Sequence, residues 1–308
     1  MAIQTWLITG ATSGLGYGLV EHVLAQGDQV IASGRNAALK LEKLKCDRLA
    51  FLELDITSGW DQVKEKIDKA WGVFGGIDIL VNNAGMSAMK SAEEADDAYM
   101  QNMFHVNFFG HVHVTKAILP HMRSRGGGCI AFTSSSTVWA MLPFMSHYSA
   151  SKAALSTYVE SLSKEVRPLG IRCVAIECGG FPTQLGQPRE PSAEAFGSNG
   201  PSIEAYGPLF SSLVGKFMST PMAHMSGDVA KGAAAIYDIA TRQGLAAENP
   251  WAVRVALGTD GMGSAKQRCS EQLTLIERWE KLSLSTERAD ADGTIANRDL
   301  FEFTTVLE

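Results

Sequence analysis

Apolar runs short enough for strands alternate with stretches of helical spacing through the first half of the chain. Ile3–Thr9 reads as a buried strand, and Gly14–Gln26 as a helix closed by Gly27. Gln29–Gly34 predicts a second strand, Asn36–Lys45 a helix and Leu49–Leu54 a third strand. Val63, Ile67, Ala70 and Trp71 recur at helical spacing within Trp60–Val73, and Ile77–Asn82 is another apolar run. Asp96–Arg125 predicts one long helix, Cys129–Thr133 a strand, Tyr148–Arg167 a helix and Ile171–Ile176 a strand, with Val253–Leu257 as one more candidate. Continuous apolar runs, rather than alternating positions, mark strands covered on both faces. Strands interleaved with helices need crossover connections and so build a parallel sheet. The expected fold is α/β in a single domain, since no repeat or low-complexity linker divides the chain.

Two regions break this rhythm. Gln184–Ser226 is rich in Gly, Pro and Ser, yet it carries Phe196, Tyr206, Phe210, Leu213, Phe217, Met218, Met222 and Met225. A disordered linker has fewer large apolar groups. In Gly261–Glu308, Leu273, Ile276, Trp279 and Leu282 recur at helical spacing and predict a docked C-terminal helix. Beyond Ser285 the chain is polar, with Leu300, Phe301 and Phe303 as the available anchors. Asp290-Ala291-Asp292-Gly293 shares part of a calcium loop but lacks the remaining ligand positions. The expected organisation is one domain over 1–285, with a substrate-loop region at 184–226 and a polar tail at 286–308.

Composition narrows the function classes. Of 308 residues, 45% are hydrophobic and 19% charged, and the formal net charge is −6 with no basic cluster. That balance argues against nucleic acid or an acidic membrane surface as a partner. Five cysteines, an odd number with no CxxC spacing, argue against a disulfide framework or a zinc site. His111 and His113 lie two apart and cannot share a helix face, and His105 and His121 lack an evident ligand partner, so no metal is expected. The N-terminal residues lack a basic segment followed by an apolar one, and no run of about 18 apolar residues occurs. A cytoplasmic enzyme with no membrane partner is expected.

Candidate chemistry begins at Thr9-Gly10-Ala11-Thr12-Ser13-Gly14-Leu15-Gly16, which follows the first strand and opens the first helix. A helix N-terminus offers unpaired N–H groups and the positive end of a dipole, and glycines let a pyrophosphate approach them. A Gly-rich turn without a ligand is the plainer alternative. Ser33-Gly34-Arg35-Asn36 ends the second strand, where a dinucleotide fold meets the adenosine ribose. An acid there would bond a 2′-hydroxyl; here Arg35 can neutralise a 2′-phosphate instead, which favours NADP(H) over NAD(H). Arg35 can equally be a solvated loop cation. Asp55 can accept from the adenine amino group or cap the helix that follows.

At the chemical end, Tyr148 and Lys152 are four apart on a predicted helix and therefore share a face. A free tyrosine, with a pKa of about 10, is a poor base near neutrality. A neighbouring ammonium favours the phenolate, which makes the pair a candidate acid for carbonyl reduction and base for alcohol oxidation. Taken alone, YxxxK also arises by chance.

The ordered set of motifs resembles the short-chain dehydrogenase/reductase family. Residues 9–16 match its TGxxxGxG, Asn82-Asn83-Ala84-Gly85 its NNAG, and Asn107 the asparagine of its long fourth helix. Ser135 stands thirteen residues before Tyr148, as that family's serine does, and Tyr148-Ser149-Ala150-Ser151-Lys152 matches YxxSK. The likeness runs from Ile3 to about Thr183. It implies a Rossmann-like, doubly wound, seven-stranded and mainly parallel sheet. It also implies a catalytic group in which Tyr148 protonates the substrate oxygen, Ser135 holds that oxygen, Lys152 lowers the Tyr148 pKa and bonds the nicotinamide ribose, and Asn107 holds a water linked to Lys152. Cofactor contacts are expected from Gly10, Thr12, Ser13, Gly14, Leu15 and Gly16, from Arg35, Asp55 and Ile56, from Asn83, Ala84 and Gly85, and from Tyr148, Lys152, Phe181 and Thr183. One departure stands out: Cys178 replaces the proline of the family's PG pair in Glu177-Cys178-Gly179-Gly180, which puts the rigidity of that turn in question.

Trp139, Met141, Leu142, Phe144, Met145, Met86 and Met89 flank the motifs, and with Gln184–Ser226 they suggest a bulky, largely apolar ketone or secondary alcohol as substrate. Core packing or an oligomer contact would use the same residues. A homodimer or homotetramer is expected from the resemblance. Two other functions share this scaffold: non-redox epimerisation, dehydration or cyclisation, and NADP(H) sensing without catalysis.

Overall fold

The computed structural model describes residues 2–185, 200–219 and 225–288. The calcium-loop fragment at 290–293, the anchors Leu300, Phe301 and Phe303, and Phe196 and Met222 of the substrate-loop region lie outside the described residues.

Seven strands form one sheet. They are β1 (Thr5–Ile8), β2 (Gln29–Gly34), β3 (Leu49–Glu53), β4 (Ile79–Asn82), β5 (Gly128–Ser135), β6 (Ile171–Cys178) and β7 (Arg254–Leu257). Their order is β3-β2-β1-β4-β5-β6-β7, and every neighbouring pair is parallel. The sheet is thus wholly parallel, where the resemblance implied mainly parallel. The chain winds outward from β1 in one direction and then from β4 in the other. The crevice beyond the C-terminal ends of β1 and β4 is the place where such sheets bind ligands.

Helices cover both faces. On one face α1 (Gly14–Ala25) and α8 (Val229–Thr241) pack over Trp6 and Ile8. On the other, α3 (Trp60–Val73), α5 (Gly110–Arg125) and α6 (Ser146–Val166) pack over Leu7. Trp6, Leu7 and Ile8 feed opposite faces in turn and are all fully buried, which is why β1 shows a continuous apolar run.

Several elements depart from expectation. The helix expected over Asn36–Lys45 is only α2 (Ala37–Lys40) followed by a 3-10 turn, because Asn36 adopts φ 57° and Leu41 leaves helical geometry. The long helix of 96–125 is three pieces, α4 (Asp97–Phe104), a π turn (His105–Phe109) and α5. β5 and β6 run further, to Ser135 and Cys178, through buried polar residues that an apolar-run criterion stops at. Within the substrate-loop region, α7 (Gly207–Ser219) forms. The sequence reading missed α8, whose Gly232-Ala233-Ala234-Ala235 run offers little periodic contrast; Asp228 caps it by accepting from the Lys231 N–H at 3.0 Å.

The C-terminal helix exists as α9 (Thr259–Leu284), but it is not docked along its length. Leu273, Ile276, Trp279 and Leu282 are 58–64% exposed. Only the first turn is held: Gly261 is buried, and a Cβ there would meet the Glu177 carbonyl and Ser136. A helix of 26 residues is about 39 Å long, and little of this one finds a partner surface among the described residues.

Candidate active site

The first βα turn is shaped by its contacts. Gly10 adopts φ 63°, and a Cβ there would lie 2.6 Å from Ala84 Cα. At Gly16 a Cβ would lie 2.4 Å from the Gly10 carbonyl oxygen and 2.5 Å from Asn83 Nδ2. Only glycine lets α1 start this close to β4. Asn83 ties the turn down: its Nδ2 donates to the Thr9 and Gly10 carbonyls at 3.1 and 3.2 Å, and its Oδ1 accepts from Thr133 Oγ1 at 3.2 Å. Thr9 Oγ1 accepts from the Asn83 and Ala84 N–H groups at 2.9 and 3.2 Å. Thr9 is a brace that the motif contained but the reading gave no role. Ser13 precedes α1 without a side-chain cap, so the first-turn N–H groups stay available to an anion.

Two adjoining clefts open here and share Gly10, Thr12, Ser13, Ala84, Gln184 and Leu185. The outer one, of about 850 Å³, also takes in Arg35, Asn36, Lys40, Asp55 and Ile56. The inner one, of about 130 Å³, is lined by Gly14, Leu15, Asn83, Gly85, Ser135, Tyr148, Lys152, Phe181 and Thr183 among others. The expected cofactor residues thus gather along one groove, except Gly16, which serves packing and lines neither cleft. Lys40 is a second cation at the Arg35 end that the reading missed. Asp55 lines the groove, and its Oδ1 also accepts from the Thr57 N–H and hydroxyl at 2.9 and 2.7 Å. The carboxylate nearest the β2 end, Glu53, is engaged with the Asn36 and Ala37 N–H groups at 2.7 and 3.1 Å.

At the inner end, Tyr148 and Lys152 are 4% and 3% exposed. Burial pushes the Tyr148 phenol up to about 12, and a hydrogen bond with Ser135 opposes that rise. Burial pushes Lys152 down to about 8, and its Nζ donates to the Thr133 carbonyl at 2.8 Å. Desolvation is the largest influence on Tyr148 and favours its neutral, proton-carrying form. Ser135 is the serine that meets Tyr148. Ser134 spends its hydroxyl on the Lys152 carbonyl at 3.3 Å and Ser156 Oγ at 2.9 Å.

Asn107 sits in the π turn, fully buried. Its Oδ1 accepts from the Met86 N–H at 2.9 Å, and its Nδ2 donates to the Met86 carbonyl at 3.0 Å and Ser151 Oγ at 3.1 Å. It clamps the Met86 backbone to α6 and lines neither cleft. A Cβ on Gly85 would lie 3.5 Å from Asn107 Oδ1 and 3.6 Å from Lys152 Nζ, so the two groups flank one point.

Cys178 lines the inner cleft, buried, with its thiol pushed up to about 12 by burial against the opposing pull of Lys152. Two hydrogen bonds hold the turn after it. The Gly179 N–H donates to the Leu257 carbonyl at 2.8 Å, and the Gly180 N–H to Asp260 Oδ2 at 2.7 Å.

On the substrate side, Met103, Met145, Met86, Met89 and Leu185 pack around Tyr148. Phe144, at φ 63°, meets Phe210 and Tyr206 edge-on at 5.2 and 6.4 Å. Glu94 ties the 200–219 segment back to the site: it accepts from the Ser202 and Ile203 N–H groups and from the Ser91 and Ser202 hydroxyls, which hold its carboxyl down at about 2. Trp139 does not join this lining; its indole turns toward Glu177 and Arg254. His147 packs edge-on against Tyr99 at 5.8 Å. No group of acidic, His and Cys side chains arranged for a metal occurs among the described residues.

Comparison with known proteins identifies the family and the fold. Residues 4–194 match the family model for short chain dehydrogenases. An uncharacterized oxidoreductase of Bacillus subtilis is 33% identical over 245 residues, covering 77% of this chain and 84% of the relative. The crystal structure of a short-chain dehydrogenase from Streptomyces avermitilis superposes with a TM-score of 0.78 at 31% identity, covering 93% of this chain and all of that one. One from Burkholderia cenocepacia in complex with NADP superposes with a TM-score of 0.62 at 25% identity, over 90% of this chain and 97% of that one. With a parallel seven-stranded sheet, a braced glycine turn and a buried Ser–Tyr–Lys group at one end of a single groove, this chain belongs to the short-chain dehydrogenase family of oxidoreductases.

Proposed function

We propose that this protein is an NADP(H)-dependent oxidoreductase that interconverts a carbonyl and a secondary alcohol on a bulky, largely apolar small molecule. The observation that carries the reading is the burial of Ser135, Tyr148 and Lys152 together in the inner cleft, where the nucleotide groove ends in an apolar, methionine-rich wall. Bound NADP(H) supplies the hydride; the protein supplies orientation and the proton.

The residues divide the work as follows. Ser135 donates a hydrogen bond to the substrate oxygen and polarises the carbonyl. Tyr148 gives that oxygen its proton in reduction and takes one back in oxidation. Lys152, held by the Thr133 carbonyl, presents its remaining N–H groups to the nicotinamide ribose and the Tyr148 oxygen. Asn107 fixes the Met86 wall against α6. Because burial favours the neutral Tyr148 phenol, the proton needed for reduction is in place. Alcohol oxidation needs the phenolate and rises as pH increases toward the Tyr148 ionisation.

Arg35 and Lys40 line the outer cleft where a 2′-phosphate would lie, and the nearby acid Glu53 is occupied by backbone N–H groups. Both features favour NADP(H). The deciding experiment follows NADPH absorbance against ketones of graded size. Tyr148→Phe should lower kcat by at least about 100-fold, the size of a lost proton donor, while NADPH binding persists. Unchanged turnover in Tyr148→Phe refutes the mechanism, and a preference for small polar ketones refutes the substrate class.

A further inference from the structure

Behind the site, on the side away from the cofactor groove, lies a buried ion pair with no place in the reaction as described. Glu177 is 1% exposed and is the last residue but one of β6. Its Oε1 accepts from Arg254 Nε at 2.7 Å, Arg254 Nη2 at 2.6 Å and Ser156 Oγ at 3.0 Å. Its Oε2 accepts from Trp139 Nε1. Arg254 comes from β7, stacks over the Trp139 ring at 4.4 Å and also pairs with Glu160 at 2.9 Å.

Apart from Arg254, each partner belongs to an element that carries a reacting group or leaves one directly. Ser156 and Glu160 are on α6, one and two turns beyond Lys152. Ser156 Oγ bonds Ser134 Oγ, which also bonds the Lys152 carbonyl, and Ser134 precedes Ser135 and pairs in register with Glu177. Trp139 closes the 3-10 turn that leaves Ser135. The carboxylate therefore joins the strand and turn that hold Ser135 to the helix that holds Tyr148 and Lys152. A buried carboxylate is costly unless fully partnered, and a hydrophobic residue would fill the same volume. What the charged group adds is a set of directed bonds of fixed length, which a non-directional apolar contact cannot give.

We infer that Glu177, held by Arg254, is a positioning residue that sets the distance between the Ser135 and Tyr148 hydroxyls, so that the sheet edge formed by β7 acts on the reaction. The inference rests on the proposed function of the Ser135–Tyr148 pair. Near-isosteric Glu177→Gln presents an amide N–H to a donor, Arg254 or Trp139, and breaks one of those bonds. It should lower kcat by roughly 10- to 100-fold, the scale of a sub-ångström to 1 Å misplacement, with KM and the NADPH dissociation constant within about twofold. It should also move the limb of the kcat–pH profile assigned to Tyr148 upward. Trp139→Phe, which keeps the ring under Arg254 but removes one donor, should show a smaller loss of the same kind. Glu177→Gln/Arg254→Gln, which removes both charges, should recover part of the kcat lost in the single variant.

The inference fails if Glu177→Gln keeps kcat within about twofold of wild type while Tyr148→Phe abolishes turnover. It also fails if kcat and NADPH affinity fall together and in proportion to lost thermal stability, which would mark a structural role alone. Should no ketone be turned over by the wild type, the proposed function is what has failed. Crystal structures of wild type and Glu177→Gln then decide the inference, since an unchanged Ser135–Tyr148 distance in the variant overturns it.

Discussion

A neutral imidazole buried against an ammonium is a proton-linked element of stability. His111 is fully buried on α5, one turn beyond Asn107, and neither ring nitrogen has a hydrogen-bond partner among the described residues. Burial, together with the nearby Lys152 charge, pushes it down to about 3 from 6.5. The sign follows directly. Between pH 6.5 and about 3 the unfolded chain binds a proton that the folded chain refuses, so stability is present above the unfolded value and is lost as pH falls through that window. The full difference is on the order of a few kcal/mol. His111→Leu should flatten the decline of denaturation midpoint between pH 6.5 and 4, and an unchanged slope would remove His111 as its source. At this scale the sequence displayed Tyr148 and Lys152 by helical spacing, and Ser135 through the family resemblance. It did not display the protonation order, because whether desolvation or a neighbouring charge wins depends on how deep the group lies.

Elements carry a second lesson, in the contrast between α6 and α9. Tyr148, Lys152, Leu155, Val159 and Leu162 of α6 are all buried, and α6 runs over Ser146–Val166 where Tyr148–Arg167 was expected. The same kind of spacing on α9 gave Leu273, Ile276, Trp279 and Leu282, and those side chains are exposed. Periodicity reports that a helix has an apolar face and says nothing about whether a surface lies opposite it. A measurable consequence follows. Leu273→Gln/Ile276→Gln should change the unfolding free energy by less than about 1 kcal/mol, as exposed substitutions do, whereas a docked α9 would lose about 3 kcal/mol or more. Urea denaturation distinguishes the two. Asp260, in the first turn of the same helix, is different in kind: it holds the Gly180 N–H and so the path to Phe181 and Thr183. The turn after Cys178 is held by a carboxylate 80 residues beyond Gly180, a contact that motif matching has no means to register.

At the scale of the whole molecule, the reversal of winding between β1 and β4 gathers the C-terminal ends of the strands into one groove, and the residues expected to meet the cofactor, Gly16 excepted, are distributed along it. A ligand that fills this groove binds the folded chain and not the unfolded one, so it stabilises by mass action. NADPH at about 100 times its dissociation constant should add about 2.7 kcal/mol, visible as a rise in Tm. NADH at the same concentration should add less, and Arg35→Ala should erase most of the difference. Equal shifts from both nucleotides in the wild type would remove Arg35 from cofactor choice. The sequence by itself determined the alternation of strand and helix, the glycine turn, and the order of the Asn107, Ser135, Tyr148 and Lys152 motifs, because these depend on neighbours a few residues apart. Only the tertiary structure decided which polar groups are buried, that Trp139 leaves the substrate wall for Arg254, that Asn107 clamps Met86, and that α9 stands largely unpaired. These depend on desolvation and on contacts between residues as distant as Glu177 and Arg254, whose partnership no local spacing encodes.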